Sequence, residues 1–192
     1  MFNIKQGDIF PTRFYSVDIF EHDENQKYKN FLIDMSKKTP GTVRSNRGGW
    51  QSETNLWEHE VFKPLLEKTT AITQSIIENL SKNRPQMVIR SMWGNINPKG
   101  GMNFTHVHPS GWMSGVYYIQ LPQGTDVINF EDPRPARMMD FQMSCIVNDE
   151  YFAHNPKVGE LLLFPSWLPH FVLPNTSDEE RISISFNIEL IV

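Results

Sequence analysis

The chain has 192 residues, a formal net charge of −4 and 39% hydrophobic residues, thirteen of them phenylalanine, enough to bury one substantial core. Its 18 Lys and Arg are scattered among 22 Asp and Glu, which leaves no electrostatic footprint for nucleic acid or an anionic membrane and points to small molecules or protein side chains as partners. A single cysteine, Cys145, excludes an intramolecular disulfide and a cysteine-rich zinc site, fits a reducing compartment and reads as a small buried hydrophobe.

In chain order, MFNIKQGDIFPTRF carries Lys5, Asp8 and Pro11 where a signal peptide needs an unbroken apolar run, and no later segment approaches the length of a membrane span. A cytoplasmic protein is expected. A short helix is predicted over about 24 to 37. The following RSNRGGWQS is rich in turn formers and reads as a surface loop, or as a lid anchored by Trp50. Within WEHEVFKPLLEKTTAITQSIIENLSKN, the apolar Val61, Leu65, Leu66, Ile72, Ile76, Ile77 and Leu80 recur at threes and fours, the period of one buried helix face. Pro64 is tolerated if that helix begins there.

Near residue 85 the pattern changes. QMVIRSMWGNI, GVYYIQL, DVINF, ELLLF and RISISFNIELIV alternate or are β-branched, with Gly, Pro, Asn and Asp between them. Such short strands suggest a sandwich or barrel rather than a parallel sheet with crossover helices. The expected fold is mainly β with flanking helices in one domain: residues 1–84 mostly helical, packed on a jelly-roll core formed by 85–192.

NFTHVHPSGWMSGVYYIQLP places His106 and His108 one residue apart. In an extended strand both imidazoles face one side, about 6.6 Å apart along the backbone. Two nitrogens each about 2.1 Å from a shared ion fit that spacing, and a third ligand must come from elsewhere. His22 and His59 lie in the polar helical part, and His154 lies in the loop-like DEYFAHNPKVG. His170 differs: in GELLLFPSWLPHFVLPN it follows a strand and a proline-bounded turn, where an exposed imidazole has no packing reason. The competing reading is that each histidine is an ordinary core or surface residue. Downstream, EERISISFNIEL sets Arg181, Ser183, Ser185 and Asn187 on one face and Ile182, Ile184, Phe186 and Ile188 on the other. Periodicity alone makes the polar face solvent-exposed. Alternatively, Arg181 reaches into a barrel mouth and grips a carboxylate, with Ser183 adding a hydroxyl.

These segments, HVHPSGWMSGVYYIQLP, FEDPRP, VGELLLFPSWLPHFVLPN and DEERISISFN, resemble the iron- and 2-oxoglutarate-dependent oxygenases, and more closely the 2OG-Fe(II) oxygenase family of bacteria and their phages. The resemblance covers most of residues 93 to 189. It implies a double-stranded β-helix of the jelly-roll, cupin-like kind, in the host cytoplasm if phage-encoded, with Fe(II) and 2-oxoglutarate as cofactors and ascorbate as reductant. It puts His106 at the proximal and His170 at the distal metal-ligand position, and Arg181 with Ser183 at the 2-oxoglutarate site. Where the family has a carboxylate two residues after the first histidine, this chain has His108. A third neutral imidazole leaves the centre one unit more positive than two histidines and a carboxylate, favouring a dianionic cosubstrate and making the iron harder to oxidise. Glu131 or Asp132 of FEDPRP, or water, are the alternatives to His108.

The resemblance further implies decarboxylation of 2-oxoglutarate to succinate coupled to oxidation, in the simplest case hydroxylation, of a substrate. Of Tyr117 and Tyr118 only one should face the site, and a Tyr118 hydroxyl there contacts 2-oxoglutarate; otherwise both are ordinary sheet aromatics. Trp93, Asn95 and Asn97 share a strand face and could wall the cavity, although turn formation also explains the asparagines. Arg134 either pairs locally or meets an anionic substrate. Two rivals stand beside the oxygenase: a cupin-like protein holding Zn, Mn or Fe on three histidines without 2-oxoglutarate, and a non-catalytic jelly-roll binding module. The abundant Phe and Trp can fill the core or leave a face for a homodimer.

Overall fold

The computed structural model describes residues 4–5, 7–109, 111–123, 127–135 and 151–191. Among them, eleven strands form two antiparallel sheets. The larger runs in the order β1 (Tyr15–Asp18), β9 (Glu160–Pro165), β6 (Met113–Gln120), β11 (Arg181–Ile191), β4 (Gln86–Asn97) and β3 (Trp50–Gln51). The smaller runs β2 (Asn46–Arg47), β5 (Met102–His106), β10 (His170–Val172), β7 (Ile128–Glu131) and β8 (Tyr151–His154). The result is the expected jelly roll with two helices, α1 (His22–Lys38) and α2 (Lys63–Leu80).

The alternation of β11 explains how the layers stack. Ile182, Ile184, Phe186 and Ile188 are all fully buried, in one core with Tyr28 and Leu32 of α1 and Leu65 and Ile76 of α2. The opposite face, Arg181, Ser183, Ser185 and Asn187, lines a cavity instead of meeting bulk solvent. Periodicity correctly separates the two faces but assigns the polar one to the outside, because it cannot know that helices cover the other. Strand β9 is buried on both sides: Leu161 and Leu163 join the helix-facing core, while Leu162 and Phe164 join a smaller core with Tyr118, Ile128, Phe130 and Leu168. Its unbroken apolar run follows from that position.

The helix ends obey local chemistry. Asp23 and Glu24 sit in the first turn of α1 and Lys37 and Lys38 in the last, each opposing the helix dipole. Helix α2 begins at Lys63 with Pro64 in its first turn, preceded by two 3-10 turns, Leu56–Glu58 and Glu60–Phe62, whose Leu56 and Phe62 are buried. Leu80, assigned by periodicity to the buried face, is about half exposed at the helix end. No described helix is long and apolar enough to cross a membrane.

Three segments differ from the sequence reading. Residues 1–84 contribute strands as well as helices, since β1, β2 and β3 all come from them. RSNRGGWQS is no free loop: β2 pairs with β5 and β3 with β4, so it ties together one edge of each sheet. Tyr151–His154, read as loop-like, is strand β8, paired with β7. Each of these strands is short, and its pairing partner is remote, so no local period announces it. Cys145 lies outside the described residues.

Phe186 lies against β6 so closely that a Cβ on Gly115 would come within 2.3 Å of its ring. Phe186→Ala is expected to destabilise the fold by about 3–5 kcal/mol, read as a lower urea midpoint at unchanged m-value.

Candidate metal centre

Strands β5 and β10 pair so that His106 lies opposite His170. A bulge follows, for the register moves from His170↔His106 to Val172↔Asn103 and spends an extra residue on β5. Asn103 and His106, three residues apart, therefore both line the cavity, where strict alternation would send them to opposite faces. Exposed Thr105 donates its hydroxyl to Glu131 Oε1 at 2.7 Å.

His108 lies beyond the end of β5, which stops at His106. The two rings are consequently not the parallel pair expected of one strand; they meet edge-on, at 85° and 5.0 Å between centroids. What holds His108 is its backbone N–H, which donates to the Ser166 carbonyl at 2.8 Å. Ser166 belongs to the turn joining β9 to β10, and the same turn offers the Leu168 carbonyl to His170 Nδ1 at 2.9 Å. Ser114 Oγ donates to Asn187 Oδ1 at 2.8 Å and so must accept from Ser166 Oγ at 2.9 Å, anchoring the turn to β6 and β11. His106 Nδ1 donates to Phe104 O at 2.8 Å. With Nδ1–H committed on His106 and His170, each presents the lone pair of Nε2.

One ligand atom from each of His106, His108 and His170 lies within 4.8 Å of the others. Burial lowers all three pKa values below the ordinary 6.5: His106 through desolvation, His108 to about 4 through desolvation and the neighbouring His106, and His170 to about 3 through desolvation and then His106. At neutral pH the triad is three uncharged nitrogen donors, the form that binds a metal.

The cluster opens on a cavity of about 480 Å³. Trp93, Asn95, Tyr118, Arg181 and Ser183 line it, as does Asn97. The Trp93 ring lies 5.6 Å from that of His108. Asn95 Nδ2 donates to Ser185 Oγ at 3.0 Å. Tyr118 points inward and its hydroxyl, buried, has no hydrogen-bond partner among the described residues; burial and then the charge of Glu160 raise its pKa, so it stays a protonated donor. Tyr117 faces the other way, into the helix-facing core, with its hydroxyl on Asn25 Oδ1.

Other candidates lie elsewhere. Glu131 accepts from Thr105, and Asp132 pairs with Arg134, so neither carboxylate joins the histidine cluster. Arg134 and Trp50 are not among the described residues lining the cavity; Trp50 donates its indole N–H to Thr39 O and packs on the helix-facing core. His154 Nε2 is 2.6 Å from Glu160 Oε1. Sequence reasoning missed Ser114 and Ser166, which no local pattern distinguishes from other serines. It also missed Asn103, which the bulge turns inward, and Arg44.

A family model described as "Putative 2OG-Fe(II) oxygenase" matches residues 91–187, which include the three histidines, Tyr118, Arg181 and Ser183. No curated protein matches the chain in sequence. Among solved structures the chain resembles HygX from Streptomyces hygroscopicus with nickel, 2-oxoglutarate and hygromycin B bound, at a TM-score of 0.69 and 10% identity over 93% of this chain and 83% of that one. A Pseudomonas putida prolyl-4-hydroxylase aligns at a TM-score of 0.67 and 15% identity, covering 94% of each chain. The viral collagen prolyl hydroxylase vCPH from Paramecium Bursaria Chlorella virus-1, in its 2OG complex, aligns at 0.64 and 16% identity over 93% of this chain and 96% of that one. At such identities the likeness is one of fold.

The depressed histidine pKa values link the metal-free fold to pH. Below the unfolded value of 6.5 the unfolded chain binds protons that the folded triad refuses, so stability is full above that pH and falls as pH drops toward 4. The melting temperature of chelator-treated protein is expected to fall between pH 7.5 and 5, and to fall less in a variant with all three histidines replaced by Asn.

Proposed function

The chain belongs to the 2OG-Fe(II) oxygenase family, and from that membership we propose that it is a non-haem Fe(II) dioxygenase coupling the decarboxylation of 2-oxoglutarate to succinate with hydroxylation of a substrate. The observation that carries this reading is the sharing of one cavity by a neutral three-histidine cluster and the Arg181, Ser183 and Tyr118 face.

The residues fit the cofactors. His106, His108 and His170 would hold Fe(II), for which a face of neutral imidazoles is a suitable donor set. Arg181 would grip the far carboxylate of 2-oxoglutarate in a bidentate hydrogen bond, aided by the hydroxyls of Ser183 and Tyr118. The Tyr118 hydroxyl, buried with no partner among the described residues, is a donor that an incoming oxygen atom would satisfy. When bound, the iron and its cosubstrate supply the oxidising chemistry with O₂. The protein's part is positional. Backbone carbonyls of Phe104 and Leu168 fix the tautomer and aim of two imidazoles, Arg181 would orient the diacid, and Ile128 and Phe164 give the cavity an apolar stretch of wall.

The third histidine also supports a second reading. Three imidazoles with an open position suit Zn(II), whose bound water ionises near neutral pH. Arg181 and Ser183 weigh against it, because such chemistry needs no dicarboxylate clamp. A binding module without metal is the remaining rival.

Anaerobic titration with Fe(II) and then 2-oxoglutarate separates the three. A visible charge-transfer band that grows and saturates on adding the keto acid is the expected result. Iron binding without a band favours the three-histidine metal protein, and no metal binding favours the non-catalytic module. His106→Ala or His170→Ala should abolish iron binding while leaving the far-UV spectrum unchanged. Arg181→Ala should keep the metal and weaken 2-oxoglutarate binding by about two orders of magnitude, since it strands a buried carboxylate.

A further inference from the structure

Resting on that oxygenase reading, we infer that the substrate carries a neutral amide edge, an N–H and a C=O side by side as in a primary carboxamide or a lactam ring, which pairs with the carboxamide of Gln51 in the cavity wall. Gln51 is one of the two residues of β3 and lies opposite Asn95 of β4. Its neighbour Trp50 packs on the helix-facing core, so Gln51 turns the other way, into the cavity that it lines. The register carries the row on across the sheet, from Asn95 to Ser183 of β11 and from Ser183 to Tyr118 of β6. Ser183 and Tyr118 form the end proposed above for 2-oxoglutarate. Gln51 and Asn95 form the other end.

Gln51 is only 5% exposed, yet its carboxamide has no hydrogen-bonding partner among the described residues. Buried Asn95 is half committed: one end of its amide is spent on Ser185 Oγ at 3.0 Å and the other is open. A glutamine nine-tenths buried and unpaired presents an unmet donor and an unmet acceptor side by side. Solvent in the cavity can serve both, but a substrate that displaces the solvent must replace both bonds or bind weakly. An amide with N–H and C=O on one edge replaces them in a single planar contact, whichever way the Gln51 amide is turned. A ketone meets only the donor, and a carboxylate sets an oxygen against the Gln51 carbonyl. The open end of Asn95, on the facing strand with its Cβ about 5 Å away, is within reach of the same group.

The backbone beneath Gln51 is held on both sides. Its carbonyl accepts from Thr42 N at 2.8 Å, and Ser52 is tied to Gly94 twice, through Ser52 N to Gly94 O at 3.0 Å and Gly94 N to Ser52 Oγ at 2.9 Å. Gly41 packs so closely on this strand that a Cβ there would come within 2.6 Å of both Gln51 O and the Trp50 ring. A recognising side chain on so firm a root is already positioned before the substrate arrives. Strand β4 also relates the amide to the metal centre. Trp93, whose ring lies 5.6 Å from that of His108, is two residues from Asn95 on the cavity face, about 6.6 Å along the strand. The bond to be oxidised is therefore separated from the amide by a short spacer.

The test uses protein loaded anaerobically with Fe(II) and 2-oxoglutarate, titrated with benzamide and 2-pyridone as carboxamide and lactam probes, and with acetophenone and benzyl alcohol as analogues that lack the amide edge. Side-chain N–H resonances of Trp93 and Asn95 report binding. At least one amide probe is expected to saturate, about tenfold tighter than acetophenone or benzyl alcohol, with that preference lost in the near-isosteric Gln51→Met and the 2-oxoglutarate Kd changed less than about twofold. Saturation by benzamide alone assigns a primary carboxamide, and by 2-pyridone alone a lactam ring. Failure of both amide probes to bind, equal binding of acetophenone or benzyl alcohol by the unaltered protein, an undiminished preference in Gln51→Met, or a 2-oxoglutarate Kd that shifts as much as the probe's overturns the inference while leaving the oxygenase reading intact. If the charge-transfer band never forms, it is the oxygenase reading that fails.

Discussion

The turn between β9 and β10 bears most of the burden of building the centre. His108 has no strand to hold it and His170 only begins one, yet both take their place from carbonyls of this one turn, Ser166 for the first and Leu168 for the second. The turn is in its own right fixed from inside the barrel by the Ser166, Ser114, Asn187 chain of hydrogen bonds. Those hydroxyls are buried, so a broken link leaves a desolvated donor or acceptor rather than one that water can satisfy. A network of this kind has few alternative arrangements, which is what a metal centre requires of its support.

The larger sheet achieves this by reversing the usual sense of an antiparallel layer. Its apolar face is turned outward and covered by α1 and α2, while its polar face looks into the space between the sheets. Burial of Ile182, Ile184, Phe186 and Ile188 against the helices supplies the hydrophobic stabilisation. The interior is thereby freed to hold Arg181, Ser183, Ser185 and Asn187, groups that a conventional two-sheet core would exclude. The small inter-sheet core around Phe164 and Phe130 closes one part of the space and leaves the rest as the cavity. Fold and site thus depend on each other: without the helix layer the polar interior would cost more than the sheets alone could offset.

Electrostatics follows from the same arrangement. Three imidazoles desolvated together stay neutral, and Glu131, on the strand next to β10, accepts from Thr105. Among the described residues, the cavity lining sets Arg181 beside neutral dipoles such as Ser183, Ser185 and Asn187.

The sequence by itself determined the two faces of β11, the amphipathic helix after Pro64, the passage from helices to short strands near residue 85, and His106, His170 and Arg181 as the residues to examine. These are local signals: a period of two or of 3.6, a proline at a helix start, a motif at fixed spacing. Tertiary structure alone decided which face of β11 is inside, since that depends on a helix layer encoded a hundred residues earlier. It alone decided that β5 ends at His106, that a bulge turns Asn103 inward, and that a carbonyl from a distant turn places His108. The short strands β2, β3 and β8 belong to the same class, because a two- to four-residue segment has too few side chains to show a period and takes its conformation from the edge it pairs with. Local chemistry selects conformations over a few residues; the meeting of groups sixty or eighty positions apart is a property of the packed chain, and that meeting is what makes the centre.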